Sequence, residues 1–217
     1  MLLLAFDTAT PAVTVALHDG SQVVSGCTQI DARRHGELLV PGIVAALADA
    51  GRGRAELTDI AVGVGPGPYT GLRVGLMTAR ALGDALGIPV HGICTLDALA
   101  YATGREAPFV AATDARRKEV YWARYADART RLEGPSVDRA ADIAASVEGL
   151  PAVGAGAALY ADAFTSVGGP EHVDAAALAR LAVERLKDGG ELLAPEPLYL
   201  RRPDAKVPAN YKPVTPS

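Results

Sequence analysis

Hydrophobic and polar residues follow two different periods along the first half of the chain. Apolar or alternating runs predict strands at 2–6, 12–18, 21–30, 60–64 and 90–94. Apolar residues at helical spacing predict helices at 37–50, 70–86 and 96–103. Three strands joined by short turns, followed by strands separated by helices, indicate a mixed sheet that is covered by helices.

The second half, from Pro108 onward, has shorter elements. We expect strands at 109–113, 119–125 and 152–153, and helices at 138–147, 157–164 and 174–187. Asp174 is a suitable N-cap for the last of these helices. The sequence therefore predicts an N-terminal lobe at 1–106 and a smaller C-terminal lobe at 107–200. A Pro-rich basic tail at 201–217 is expected to be partly disordered.

Length and composition exclude several classes of protein. The chain has 217 residues, 49% hydrophobic and 21% charged, as is usual for globular proteins. Its net charge of -4 argues against nucleic-acid binding through overall charge. Cys27 and Cys94 lack metal-ligand spacing and suit a reducing compartment. Because neither a signal peptide nor a membrane-spanning run is present, we expect a cytoplasmic protein with no membrane partner.

Two segments contain residues that suit contact with phosphate. Asp7, Thr8 and Thr10 follow a buried strand, where they can face a metal-bound phosphate or bond the amides of their own turn. The Gly-rich stretch 63–75 precedes a helix, a position that presents amides to anions. It is not a Walker loop, however, and its two prolines remove two amides, so an anion cradle there is weakened.

Small residues recur at every fourth position of the helix predicted at 70–86. They form one ridge of the helix surface and are Gly71, Gly75, Ala79 and Gly83, followed by Gly87. An interior helical glycine costs up to about 1 kcal/mol relative to alanine, so the ridge should have a packing reason. The spacing allows two interpretations: close packing on the chain's own sheet, or a docking face for a partner helix.

The histidines and a basic turn offer weaker signals. No pair of histidines among His18, His35, His91 and His172 is four residues apart, so a helical zinc site is not predicted. The turn at 116–118 is Arg-Arg-Lys and precedes Tyr121, Trp122 and Tyr125. Arginines and aromatics of this kind can bind RNA. A solvated hairpin tip explains them more simply, and we favour that interpretation.

Four segments together resemble the TsaB family, also called YeaZ. They are FDTAT at 6–10, HGELLVP at 35–41, GVGPGPYTGLRVGL at 63–76 and DARRKEVY at 114–121. One departure is Pro68-Tyr69, where the family more often has Ser-Phe. The resemblance implies a non-catalytic subunit of the bacterial machinery that makes threonylcarbamoyladenosine at position 37 of tRNAs reading ANN codons.

The resemblance also implies an α/β fold of the actin-like (ASKHA) type, with two ribonuclease H-like lobes whose mixed sheets are flanked by helices. A vestigial nucleotide cleft would lie between the lobes, with Asp7, Thr8 and Thr10 in its first phosphate turn. Gly154 and Gly156 would be either a remnant of the adenosine-contacting turn or a connection from strand to helix. The second phosphate turn, at 114–118, has no glycine, so its side chains should obstruct phosphate.

A related catalytic subunit, TsaD, has two metal-binding histidines at the places that Thr95 and Leu99 occupy here. The resemblance therefore implies that this chain has no catalytic residue, no metal and no cofactor of its own, and that partner subunits handle ATP.

The partners implied by the resemblance are TsaD, the ATPase TsaE, and tRNA through the complex. The helices at 37–50 and 70–86 would dock on TsaD and would form a homodimer when the chain is alone. The expected interface residues are His35, Leu38, Leu39, Gly71, Leu72, Gly75, Leu76, Ala79 and Gly83. The alternatives are a stand-alone ATPase, a glycoprotease-like peptidase, and a direct tRNA-binding module that uses Arg116, Arg117 and the basic tail.

Overall fold

Two five-stranded sheets form the centre of the computed structural model, which describes residues 1–190 and 192–201. The first sheet contains β1 (Leu3–Asp7), β2 (Ala12–His18), β3 (Val23–Ile30), β4 (Asp59–Gly63) and β5 (Val90–Ile93). The second contains β6 (Phe109–Asp114), β7 (Glu119–Tyr125), β8 (Arg131–Arg139), β9 (Pro151–Val153) and β10 (Ser166–Val167). The sequence missed β8 and β10, and the helix predicted at 138–147 is displaced because β8 continues to Arg139.

Both sheets have the same topology. Their strand orders are β3-β2-β1-β4-β5 and β8-β7-β6-β9-β10. In each sheet the first three strands pair antiparallel, and the fourth and fifth are added in parallel. The chain therefore contains the same fold twice, which confirms the predicted pair of ribonuclease H-like lobes in an actin-like arrangement. The end of β1 and the end of β6 are equivalent positions of the two lobes.

Among the described residues, six α-helices separate and cover the sheets. They are α1 (His35–Asp49), α2 (Tyr69–Leu86), α3 (Thr95–Tyr101), α4 (Ala140–Ile143), α5 (Ala155–Leu159) and α6 (Ala175–Asp188). One apolar core places α1 and α2 on the outer face of the first sheet, and another places α4 and α5 on the outer face of the second. The third core lies between the sheets and contains α3 and α6. Within the ranges that the structure describes, no helix is long and apolar enough to cross a bilayer.

The helix α6 belongs to the first lobe in space, although it follows the second in sequence. Its N-cap is Asp174, as predicted, and the amide of Ala175 donates to Oγ1 of Thr14 on β2 at 2.9 Å. After α6 the chain remains on the first lobe, where Gly92 and Leu193 exchange two backbone hydrogen bonds. The two sheets lie on either side of the predicted division near residue 106, and α6, which was predicted in the C-terminal lobe, packs on strands of the first sheet. The predicted domain bounds stay a prediction. The predicted disorder of the tail lies outside the described residues from 202 onward.

A buried carboxylate joins four elements between the sheets. Asp97 on α3 accepts hydrogen bonds from the hydroxyl of Tyr125 (2.9 Å) and from the guanidinium groups of Arg131 (3.0 Å) and Arg185 (3.2 Å). These partners come from β7, β8 and α6. Since Asp97 is only 8% exposed, its charge depends on the two arginines for compensation. The cluster thus fixes both lobes against the central helices.

Candidate functional site between the lobes

A cleft of about 490 Å³ separates the ends of β1 and β6. Its polar lining residues are Thr8, Thr10, Arg33, His35 and Thr70 from the first lobe, and Thr113, Asp114, Arg116, Glu171 and His172 from the second half of the chain. Because the two lobes have the same topology, the ends of their central strands β1 and β6 both lie at the cleft. In α/β folds, ligands commonly bind at the ends of such strands. The cleft includes Thr8 and Thr10, as predicted, but it does not include Asp7, Gly154 or Gly156.

Asp7 points into the protein and away from the cleft. Its Oδ1 accepts from the amide of Ala9 and its Oδ2 accepts from the hydroxyl of Thr95, both at 2.7 Å. A side chain at Gly63 would overlap the carboxylate, so the glycine makes room for it. Burial raises the pKa of Asp7, while the hydrogen bonds from Thr95 and Ala9 act in the opposite direction. Asp7 is therefore bonded within the protein in this structure, and its contact with a phosphate stays a prediction.

The two threonines of the same turn hold the neighbouring helices. Thr8 donates to the carbonyl oxygen of Gly71 on α2 at 2.7 Å. Thr10 accepts from the amide of Ala12 at 3.2 Å, and its carbonyl oxygen lies 2.8 Å from Nε2 of His35. A donating Nε2–H at His35 satisfies this contact. The turn is thus tied to the first turn of α1 and of α2, and its hydroxyls serve the fold.

The equivalent turn of the second lobe has an unusual backbone. Arg116, Arg117 and Lys118 have φ angles of 63°, 57° and 65°, in the left-handed region that favours glycine. The amide of Arg116 donates to Oδ1 of Asp114 at 2.8 Å, and its guanidinium lies 3.3 Å from Oδ2 of that residue. Arg116 lines the cleft, and the obstruction of phosphate by the side chains of this turn stays a prediction.

Gly154 and Gly156 form a close contact between α5 and β6. Gly154 has φ +100°, and a side chain there would overlap the carbonyl oxygen of Ala112. A Cβ at Gly156 would lie 2.6 Å from the carbonyl carbon of Thr113. Gly154 connects β9 to α5 and Gly156 lies within α5, as the second of the two predicted alternatives has it, and contact of these glycines with a nucleotide stays a prediction.

Two polar atoms beside the cleft are buried without a partner among the described residues. They are Oγ1 of Thr113, at the end of β6, and Nδ1 of His172, in the segment before α6. Both residues line the cleft. Buried polar atoms are normally satisfied, so these two are available to bond a molecule that enters the cleft. The sequence offered no pattern that would have singled out Thr113.

Thr95 and Leu99, which the resemblance places at the metal ligands of TsaD, make structural contacts in this chain. Thr95 is buried and, besides donating to Asp7, accepts from the amide of Gly65 at 3.1 Å. Leu99 is fully buried in the core between the sheets. In the described part of the chain, no three His, Cys, Asp or Glu side chains cluster in a way that could hold a metal ion.

Comparison with known proteins gives the family. The family profile described as "TsaD: tRNA N6-adenosine threonylcarbamoyltransferase" matches residues 28–163, which is more than half of the chain. TsaB of Escherichia coli, a tRNA threonylcarbamoyladenosine biosynthesis protein, is 36% identical over 58% of this chain and 55% of its own. The chain belongs to this family, among its TsaB/YeaZ members.

Two further relatives are similar to this chain over nearly its whole length. A protein of Mycobacterium tuberculosis is 45% identical over 94% of this chain and 93% of its own length. The solved structure of YeaZ from Pseudomonas aeruginosa has a TM-score of 0.80 and 28% identity, and covers 92% of this chain and 99% of its own. The glycine-rich segment at 63–76 therefore lies in a TsaB/YeaZ fold, and the packing around its glycines explains why they are glycines.

The glycine ridge of this TsaB/YeaZ chain faces its own first lobe. A Cβ at Gly75 would lie 2.6 Å from Oγ1 of Thr8, one at Gly71 would overlap the carbonyl oxygen of Thr8, and one at Gly83 would overlap Val90. Most residues predicted at the partner interface are buried for the same reason: Leu39, Gly71, Leu72, Gly75, Leu76, Ala79 and Gly83. Their placement at a partner interface stays a prediction, and their burial in the single chain does not favour it, because the ridge lets α2 approach its own sheet.

The outer faces of the same two helices expose other apolar side chains. Val40 and Val44 on α1 are 53% and 60% exposed, and Met77 on α2 is 47% exposed. We call these three residues the outer helix patch. Of the predicted interface residues, only His35 and Leu38 are partly exposed. Of the two interpretations of the ridge, the structure supports close packing on the chain's own sheet, and the exposed apolar residues of α1 and α2 lie outside the ridge.

Proposed function

We propose that this chain is a scaffold subunit for threonylcarbamoyl transfer to N6 of adenine 37, in tRNAs that read ANN codons. In that reaction N6 attacks the carbamoyl carbon of the threonylcarbamoyl adenylate, and AMP leaves. The chain would act by docking on the catalytic paralogue TsaD. The outer helix patch carries this proposal, since it leaves three large apolar side chains in water on adjacent helices. Membership of the TsaB/YeaZ family supports it.

The state of the cleft favours a scaffold over an enzyme. Asp7 is bonded inward to Thr95, and Arg116 lines the cleft at the second turn, where a glycine would leave more room. No carboxylate of the first turn is thereby left to hold a metal-bound phosphate. We infer that ATP is bound by partner subunits, including the ATPase TsaE, and that this chain requires no cofactor for its role.

A charge placed in the outer helix patch tests the docking surface. Val44→Asp would bury an unpaired carboxylate at the interface and should weaken binding to purified TsaD by more than tenfold. Leu132→Asp is the matched control, because Leu132 is 55% exposed on β8 in the second lobe. Isothermal titration calorimetry measures both, and circular dichroism checks that both variants fold. Equal affinity of the Val44 variant and the wild type would exclude this surface.

The same patch should make the chain dimerise when TsaD is absent. A second copy can cover the apolar side chains that the partner would otherwise cover. Analytical ultracentrifugation should therefore find a dimer for the wild type and for Leu132→Asp, and a monomer for Val44→Asp. A dimer that survives in Val44→Asp would place self-association elsewhere.

The alternative is a chain that acts alone, as an ATPase or as a glycoprotease-like peptidase. The unpartnered atoms of Thr113 and His172 favour a small ligand in the cleft. Calorimetry with ATP and magnesium on the purified chain separates these functions, because a scaffold should show no tight binding. Reconstitution of tRNA modification with and without this subunit then tests the scaffold function directly. Turnover of ATP or peptide by the pure chain would replace our proposal.

A further inference from the structure

The cleft between the lobes has buried polar groups that the proposed docking function does not use. Thr113, at the end of β6, is only 5% exposed, and its Oγ1 has no hydrogen-bond partner among the described residues. Nδ1 of His172 is buried and without a partner in the same part of the chain. Both residues line the cleft, whose volume of about 490 Å³ suits a small molecule. The two atoms are therefore free to bond a ligand there.

The first-lobe side of the cleft presents hydrogen-bond donors. Helix α2 begins there, with Thr70 and Gly71 in the lining. None of the described side chains caps α2, and its first turn has no acidic residue, so its first amides remain donors at the positive end of the helix. Arg33 lines the same side, and its guanidinium forms no ion pair with the described residues. We call Arg33 and the first turn of α2 the donor side.

The start of α1 holds the two parts of the donor side together. His35 follows Arg33 closely in sequence and lies against the first turn of α2, since a Cβ at Gly71 would be 3.7 Å from Nε2 of His35. Arg33 and the first amides of α2 therefore face the same region of the cleft. A helix N-terminus favours a negative charge, and a guanidinium can bond both oxygens of a carboxylate. The donor side is thus suited to a carboxylate.

The opposite side of the cleft presents hydrogen-bond acceptors. Glu171 lines it, is exposed, and forms no ion pair with the described residues. Its carbonyl oxygen accepts from the amide of Ala155 at 2.8 Å, which fixes this segment beside α5. Gly156, the next residue of α5, packs on Thr113. The carboxylate of Glu171, Oγ1 of Thr113 and Nδ1 of His172, with the ring proton on Nε2, form what we call the acceptor side.

The charges that line the cleft are balanced. They belong to two arginines and two acids, which are Arg33, Arg116, Asp114 and Glu171. Arg116 and Asp114 pair with each other at 3.3 Å, which leaves one cation on the donor side and one anion on the acceptor side. A triphosphate would bring several negative charges to a lining without net charge, and it would be repelled by Glu171. A zwitterion has no net charge and can pair with both sides.

These observations favour one class of ligand. We propose that the cleft binds a zwitterion of the amino-acid type, with its carboxylate on Arg33 and the first turn of α2 and its ammonium on Glu171. An ammonium has three N–H donors, and the acceptor side has three groups that can accept them. Val74 and Leu159 add apolar lining that suits an aliphatic side chain. A free amino acid and a short peptide share this chemistry, and the inference does not depend on docking to TsaD.

Isothermal titration calorimetry with the full chain tests the ligand class. The probes are L-leucine and L-leucylglycine, which represent a free amino acid and a short peptide. At least one of them should bind with a Kd below about 1 mM. Its amide, which lacks the carboxylate, and its N-acetyl derivative, which lacks the ammonium, should each bind about tenfold more weakly, because one side of the cleft is left unpaired. A Kd above that limit for both zwitterions, or equal binding of a zwitterion and its derivatives, would overturn the proposal.

Variants on the two sides of the cleft locate the ligand. Arg33→Gln and Glu171→Gln should each weaken binding of the zwitterion by about tenfold, because each removes one of the two unpaired charges. The matched controls are Arg54→Gln and Glu148→Gln, at exposed positions before the starts of β4 and β9, whereas the cleft lies at the opposite ends of these sheets. Both controls should bind as the wild type does. Equal losses in the controls and the cleft variants would place the ligand elsewhere and overturn the proposal.

Thr113 separates binding from folding. Thr113→Val removes a hydroxyl that has no partner among the described residues, so the free variant should melt no lower than the wild type. It should nevertheless bind the zwitterion about fivefold more weakly, because the ammonium loses one acceptor. Unchanged affinity in this variant would overturn the assignment of the acceptor side.

Competition and a docking variant distinguish this inference from the other functions. ATP with magnesium should not displace the zwitterion, and displacement by ATP at a lower concentration than that of the zwitterion would assign the cleft to a nucleotide instead. Val44→Asp lies on the outer face of α1, so it should bind the zwitterion normally even where it no longer binds TsaD. Failure of the docking proposal and failure of this one are therefore separable.

Discussion

Thr95 donates a 2.7 Å hydrogen bond to Oδ2 of Asp7, across 88 residues of sequence. The contact ties the start of α3 to the end of β1, and Thr95 also accepts from the amide of Gly65. Because Asp7 is completely buried, the threonine and the amide of Ala9 replace the water that would otherwise solvate its carboxylate. Asp7, which the sequence suggested for contact with phosphate, therefore joins the end of β1 to the start of α3 and to the turn after β4.

Removing the threonine hydroxyl should destabilise the fold. Thr95→Val keeps the shape of the side chain but leaves Oδ2 of Asp7 and the amide of Gly65 without their partner. The expected loss is about 1–3 kcal/mol of the free energy of unfolding. Urea denaturation measures it, and Thr70→Val, at an exposed position in the first turn of α2, is the control. A loss no greater than that of the control would mean that water replaces the hydroxyl without cost.

Asp7 should make stability depend on pH. Burial raises its pKa in the folded state above the ordinary value of 3.8, so the folded state favours the protonated carboxyl. The contribution of Asp7 to stability is then complete below that value and is lost as the pH rises through the raised pKa. Urea denaturation from acid to neutral pH should show the wild type losing stability relative to Asp7→Asn. A difference that grows in favour of the wild type with rising pH would contradict this.

Two glycines, one on α2 and one on α1, should respond in opposite ways to replacement by alanine. Gly75→Ala places a methyl group 2.6 Å from Oγ1 of Thr8 and should destabilise the fold by about 1–3 kcal/mol. Gly36→Ala meets nothing within 4 Å on α1 and should stabilise by up to about 1 kcal/mol through helix propensity. Thermal and urea denaturation of both variants give the comparison. Two variants of equal stability would mean that α2 is free to move away from the sheet.

The carboxylate between the lobes should be essential for stability. Asp97→Ala leaves the guanidinium groups of Arg131 and Arg185 without their shared anion in a half-buried site. We expect the free energy of unfolding to fall by about 3 kcal/mol, because removing one partner of a buried ion pair leaves the other charge uncompensated. Asp49→Ala, at the exposed end of α1, is the control in urea denaturation. Similar curves for the two variants would show that solvent compensates the arginines.

Sequence patterns were sufficient for elements that bury one face. Helix α2 begins one residue before its predicted start and α6 begins one residue after, because their apolar residues recur at helical spacing and Gly87 and Gly189 end them in the left-handed conformation. Strand β8 escaped prediction because it lies at the edge of its sheet, none of its residues is fully buried, and hence it has no apolar alternation. The order of these elements indicated only a mixed sheet covered by helices in the first half of the chain. The resemblance of four segments to a known family implied the second lobe of the same fold.

The sequence by itself determined which residues share a face of α2, the end of each major helix and the family to which the chain belongs. Only the tertiary structure decided that the glycine ridge packs on Thr8 and Val90, that Asp7 turns toward Thr95, and that Tyr69 meets Tyr199. The reason is that periodicity records local geometry along one element. The neighbour that a face contacts is set by long-range packing, which joins residues as distant as Tyr69 and Tyr199 and leaves no periodic pattern in the sequence.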